Sequence, residues 1–248
     1  MGLVPFIFSC KKEAPKTPEV SEKPPVEAKS SYLADSISFT INGVSYVSID
    51  NYGAGYGNSG VNIKLYDREI PGRRSWGQIG SSYRYGEADS ILYTVFKKFG
   101  VENGTIEITF AKKLKQNQLE AHISLSGFAD NASLYTVGNR GFATDYHVGQ
   151  KLDGIVVDFS GRGRDSELSS YVPYYTIIRN IDLGPDIQKN SKFEIIKSEK
   201  IGENRLLVEA KFELNLYDDN GKKYRVENGY YRFKTIVTFD KNSNGIPF

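Results

Sequence analysis

The chain has 248 residues, 39% of them hydrophobic and 25% charged, with 32 basic side chains against 30 acidic ones. That length buries a sizeable core, and a net charge of +2 argues against a general nucleic-acid binder, which carries a basic excess or stripe. Cys10, the one cysteine, excludes an internal disulfide, and the two histidines, His122 and His147, argue against a multi-histidine metal centre or a histidine relay.

At the start, Leu3 to Phe8 is apolar apart from Pro5. The run is too short to cross a bilayer, which takes about 20 residues, but it matches the end of a secretory apolar region. Ile7-Phe8-Ser9-Cys10 resembles a bacterial lipobox. The resemblance implies that Cys10 is acylated and leads the mature protein, so residues 1–10 read as a truncated lipoprotein signal. Residues 11–31 hold Pro15, Pro18, Pro24 and Pro25 among Lys and Glu, and almost no large apolar side chain. Such a segment cannot bury a core and is expected to be a disordered tether. Fully stretched it would span about 65 Å. A lipid, a polar leash and then a domain is the layout of a membrane-tethered protein, and several acyl chains hold where one binds only marginally. The lysines after Cys10 resemble those of lipoproteins passed to the outer membrane, with the domain either periplasmic or surface-exposed.

Residues 32–248 read as one domain with an apolar period of two. Ile37, Phe39 and Ile41 alternate with Ser36, Ser38 and Thr40 up to Asn42-Gly43, a strong hairpin signal because both positions take positive φ. A two-residue turn sets Ile41 opposite Val44 and Phe39 opposite Tyr46. Ile91 to Phe99 is strand-like and joins Thr105 to Phe110 through Gly100 to Gly104. Ile106, Ile108 and Phe110 share one face. Ala111 to Ala121, around Leu114 and Leu119, is the one predicted helix. Ile155, Val157 and Phe159 predict a further strand. Leu206, Val208, Ala210, Phe212, Leu214 and Leu216 predict a long strand with one dry face, the other face carrying Leu207, Asn215 and Tyr217 among charges. A turn at Asp218 to Gly221 leads to Lys222–Glu227. Asn228-Gly229 predicts a second hairpin into Tyr230–Phe239, with Val226 opposite Tyr231 and Tyr224 opposite Phe233. The expected fold is all-β, an antiparallel β-sandwich or open barrel of about 10–12 strands with at most one or two short helices. Two subdomains with a break near residues 140–150 are the alternative.

The segment Phe39-Thr40-Ile41-Asn42-Gly43-Val44-Ser45-Tyr46 resembles the first hairpin of many uncharacterised Bacteroidota lipoproteins. The end is also similar, with Phe193-Glu194-Ile195, the Leu206–Tyr217 strand, Asn220-Gly221-Lys222 and Asn228-Gly229. The likeness covers these edges and the anchor, not the middle. It implies an envelope lipoprotein with an all-β domain and brings no activity with it.

The chemistry-bearing motifs are sparse. Asp240, Asn242 and Asn244, before Gly245, have the spacing of a calcium loop, but the twelfth-position glutamate is absent, and a polar terminus explains them better. Tyr52 and Tyr56 sit among Gly53, Gly55, Gly57 and Gly60, where no phosphate-loop lysine follows. A surface loop accounts for them, and contact with a sugar or a partner protein is the functional alternative. Arg73, Arg74 and Trp76, and likewise Arg162 and Arg164, read first as solvated loops and second as grips for an anion. No nucleophile elbow and no zinc-protease motif is present, and no cofactor is implied. The 17 tyrosines would suit sugar stacking, but strands use them more often. The expectation is a non-catalytic envelope lipoprotein, held to the membrane by its lipid, whose β-domain binds a glycan or an envelope protein. The alternatives are a polysaccharide hydrolase with two facing carboxylates and a structural subunit of an envelope complex.

Overall fold

The computed structural model describes residues 33–49, 59–65, 90–115, 119–121, 126–128, 131–144, 146, 151–161, 167–173, 176–177 and 179–237. Within them the alternating segments form strands β1 (Ser36–Ile41), β2 (Val44–Ile49), β3 (Ser59–Leu65), β4 (Ser90–Val101), β5 (Gly104–Lys115), β6 (Leu119–Ala121) and β7 (Ser126–Phe128). They continue with β8 (Gly138–Arg140), β9 (Gly154–Gly161), β10 (Leu168–Ser169), β11 (Lys192–Gly202), β12 (Arg205–Tyr217) and β13 (Lys223–Ile236). Eleven strands make one sheet, with the order β2-β1-β13-β12-β10-β9-β5-β4-β3 and with β11 and β8 branching from β12. β6 and β7 pair separately. The sheet is antiparallel and curls into a half-barrel, and no helix among the described residues reaches seven residues. None is long and apolar enough to cross a membrane.

Strands far apart in the sheet meet through their rings, which locates the inside of the curl. Phe39 of β1 lies edge-on to Phe159 of β9 at 6.1 Å, and Phe99 of β4 to Tyr231 of β13 at 5.7 Å. Phe110 of β5 reaches both Phe193 of β11 and Phe233 of β13. Each such pair adds about 0.5–1.5 kcal/mol beyond its buried area. Ile106, Ile108, Val157, Val208 and Leu214 fill the space between. The interior is therefore packed with side chains rather than hollow.

Local pattern and observed register agree at the first hairpin. Phe39 pairs with Tyr46 and Ile41 with Val44, across a turn in which Asn42 and Gly43 have φ of 48° and 82°. The β4–β5 hairpin is as expected but tighter, with Val101 opposite Gly104 and Asn103 at φ 59°.

Two expectations are corrected. No helix spans Ala111–Ala121, because β5 runs on to Lys115. Ala111 pairs with Thr94 of β4 and Gly154 of β9, and Leu114 continues the inward row of Ile106, Ile108 and Phe110. Pairing with β4 from Ala111 to Lys115, and with β9 at Ala111, outweighs the mild helix preference of Ala, Lys and Leu. Asn228-Gly229 is not a hairpin either. β13 passes straight through it as one strand, and the pair forms a bulge. Between Val226 and Gly229, β13 advances three residues while β12 advances two, from Leu214 to Phe212. The extra residue shifts parity, so Tyr224 and Val226 before it and Tyr231 and Phe233 after it all face the core. A two-residue hairpin would leave the same parity, hence the ambiguity.

The outer face of β12 is also drier than its pattern predicts. Leu207, Asn215 and Tyr217 are buried there. Asn215 Nδ2 and Tyr217 Oη both donate to the Ile187 carbonyl, at 2.9 and 2.7 Å, and Gln188 bonds the Asn215 backbone. A polar loop thus caps a polar patch of the strand. A second apolar layer covers the outside of β4, β5 and β9, where Leu92, Ala111 and Val156 pack under Ala143, Tyr146, Leu152 and Tyr171.

Candidate functional site

Every residue singled out in the sequence as a site lies outside the described residues. That holds for Cys10, for Tyr52, Tyr56, Arg73, Arg74 and Trp76, for Arg162 and Arg164, and for Asp240, Asn242 and Asn244, as well as for both histidines. The candidate surface described below was not among the expectations.

It begins at the tight β4–β5 turn. Gly100, Val101, Asn103, Gly104 and Thr105 meet Ser160 and Gly161, the end of β9, around an open cavity of about 610 Å³. Glycine makes the concavity. Gly104 lies so close to β9 that a Cβ would stand 2.5 Å from the Ser160 carbonyl oxygen. With side chains missing at three of its positions, the wall is backbone plus the hydroxyls of Thr105 and Ser160, the Asn103 amide and the apolar side chain of Val101. Its described lining residues offer donors and acceptors to a polar guest and carry no charged side chain.

The same ladder continues inward from the cavity. Thr105 pairs with Ser160, and two steps on Glu107 pairs with Asp158. Period-two alternation puts both pairs on the outer face. Glu107 Oε1 accepts from Thr109 Oγ1 at 3.3 Å, and its Oε2 lies 3.9 Å from Lys98 Nζ. Asp158 is bonded by the hydroxyls of Ser169 and Tyr171, while its Oδ1 is buried with no hydrogen-bond partner. Burial, opposed by those two hydroxyls and reinforced by Glu107 and Glu167, pushes its carboxyl up to about 7. Tyr146 and Tyr171 cover it with ring centroids 5.4 Å apart, and burial raises both of their hydroxyls as well.

Inside the curl, a different polar group is structural. Asp35 Oδ2 lies 2.9 Å from Lys97 Nζ, and Asp35 Oδ1 accepts the Lys234 N–H at 3.0 Å. The Tyr231 hydroxyl is fully buried nearby, its proton held more tightly by desolvation. Among the described residues no three of His, Cys, Asp and Glu are grouped to hold a metal ion.

The signal missed in the sequence was the set of glycines at strand ends. Gly100, Gly104 and Gly161 read as turn punctuation, and only the register brings them to one rim. Comparison with protein-family models, curated proteins and solved structures finds no match for the chain.

Proposed function

We propose that the chain is a non-catalytic lipoprotein of the cell envelope, held through a lipid on Cys10 and carried on a tether of residues 11–31. Its β-domain binds a polar ligand, a glycan segment of the envelope, in the rim cavity between the β4–β5 turn and the end of β9. The observation that carries the binding site is the open cavity of about 610 Å³, whose lining joins the polar side chains of Asn103, Thr105 and Ser160 to one apolar side chain, Val101, and to glycine backbone. A neutral, hydroxyl-rich ligand suits such a wall. The packed interior of the half-barrel supports a ligand held outside it. Tyr93, Tyr135 and Tyr231 are core residues, so the support for a glycan comes from the cavity and not from tyrosine abundance.

Ser160 is exposed at the mouth. Ser160→Tyr fills the cavity without disturbing the core and is expected to abolish retention of envelope polysaccharide fragments in affinity electrophoresis while leaving the melting temperature unchanged. Equal retention by the variant would move the site elsewhere. Mass spectrometry of the native amino terminus tests the anchor independently, with a diacylated Cys10 as the expected species.

The hydrolase reading ranks second. Glu107 and Asp158 are direct cross-strand neighbours, and a neutral carboxyl beside a second carboxylate is the arrangement of a general-acid pair. Asp158 is half-buried, however, with its Oδ1 enclosed and its carboxyl bonded by Ser169 and Tyr171, which places it poorly for substrate. Turnover of an envelope polysaccharide that vanished in Glu107→Gln would reverse this order.

A further inference from the structure

We propose that Asp158 is a proton-operated fastener that holds the outer layer of the domain on the sheet, and that the layer loosens when Asp158 ionises. The geometry is specific. Asp158 stands between Glu107 of β5 on one side and Ser169 of β10 on the other. Tyr171 bonds it from above, and Tyr146 packs on Tyr171. Tyr171 and Tyr146 belong to the layer that also places Ala143 and Leu152 over Leu92, Ala111 and Val156. The same segment is stitched to β9 by the Ser170 N–H to the Val157 carbonyl, at 2.9 Å, and by the Val157 N–H to Ser170 Oγ, at 2.8 Å.

Among the described residues, the charges acting on Asp158 are those of Glu107, from β5, and Glu167, from the approach to β10, and both are negative. On the outer face Lys98 of β4 pairs with Glu107. The described residues of the outer layer, Ala143, Tyr146, Leu152 and Tyr171, bring it hydroxyls and no charge. A neutral carboxyl fits this setting. An ionised one is opposed by burial and by both neighbours, while the hydroxyls of Ser169 and Tyr171 favour it. Relief comes from water, which reaches Oδ1 when the layer lifts.

The sign follows from linkage. The carboxyl titrates at about 7 in the closed state, against 3.8 when freely solvated. The closed state therefore keeps a proton that the open state releases, and its advantage is full below pH 4 and is lost as pH rises to about 7. Between pH 6 and pH 8 the opening equilibrium should rise roughly tenfold.

Hydrogen exchange followed by NMR tests this, with rates at the Val157 and Ser170 amides corrected for intrinsic pH dependence. Protection in the wild type is expected to fall roughly tenfold from pH 6 to pH 8. In Asp158→Asn, which cannot ionise, it should stay level. PH-independent protection in the wild type, or an equal fall in the asparagine variant, overturns the proposal. Should Asp158→Asn not fold, Tyr171→Phe serves. Losing a hydroxyl that favours the ionised form should move the midpoint to higher pH, and an unmoved midpoint counts against the fastener.

Discussion

Gly229→Ala is expected to cost about 3 kcal/mol or more of folding stability, read from urea denaturation. A Cβ at Gly229 would overlap the Phe212 carbonyl oxygen and the Phe212 ring. Neither can retreat. The Phe212 backbone is paired on both sides, to Gly229 of β13 and to Phe193 of β11. Its ring is stacked on Phe193 at 5.8 Å and packs against Phe39. The alanine therefore either forces β13 off β12 or expels a core ring. Asn228, at φ 54°, provides the control. Asn228→Gly keeps the positive φ and should change stability by only a few tenths of a kcal/mol. If Gly229→Ala were as harmless as Asn228→Gly, the bulge would not exist, and a flexible hairpin would be the better description.

Asp35→Ala is the second large effect, with an expected loss of about 3–5 kcal/mol. Asp35 lies just before β1, and its partner Lys97 projects from β4, which is not a neighbour of β1 in the sheet. The pair spans the curl. Its side chains are only 10% and 8% exposed, so screening by water is weak, and removing the carboxylate takes a close counter-charge from a buried ammonium. The Lys234 N–H would lose its acceptor as well. The net worth of the pair is smaller than the cost of breaking it, because both ions gave up their hydration. A double variant, Asp35→Leu with Lys97→Met, should therefore recover most of the loss, and a double-mutant cycle by chemical denaturation measures the difference. A loss under 1 kcal/mol for Asp35→Ala would mean that water reaches the pair and that the half-barrel is open at this end.

What could be read from the sequence was what neighbouring residues decide among themselves. Asn42-Gly43 dictates both the turn and the register of β1 with β2, because positive φ at two consecutive positions leaves little choice. The inward rows of β5, β9 and β12 follow from alternation alone. Legibility ended where a distant partner decides. Ala111 to Lys115 is strand because β4 pairs along all of it and β9 with its first residue, and no local signal carries that. Asn228-Gly229 satisfies a hairpin and a bulge equally in side-chain parity. Only the 13-residue length of β12, which needs a partner along its whole edge, separates them. Asn215 and Tyr217 look solvent-facing until the Ile187 carbonyl is brought over them. The rim cavity was illegible for the same reason, since Gly104 and Ser160 lie 56 positions apart and meet only through the β5–β9 register. Asp158 sits between Val157 and Phe159 as an ordinary polar alternate, and the Ser169 and Tyr171 hydroxyls that bond it come from beyond the end of β9.

The account depends on a filled half-barrel that meets its ligand at the rim rather than within the curl. Titrating the ¹⁵N-labelled domain with envelope polysaccharide fragments and mapping the amide shifts tests this most directly. Shifts concentrated at Gly100 to Thr105 and at Ser160 and Gly161, with Phe110, Phe193 and Tyr231 unmoved, are the predicted result. Shifts centred on the interior strands, or none at saturating ligand, would contradict it.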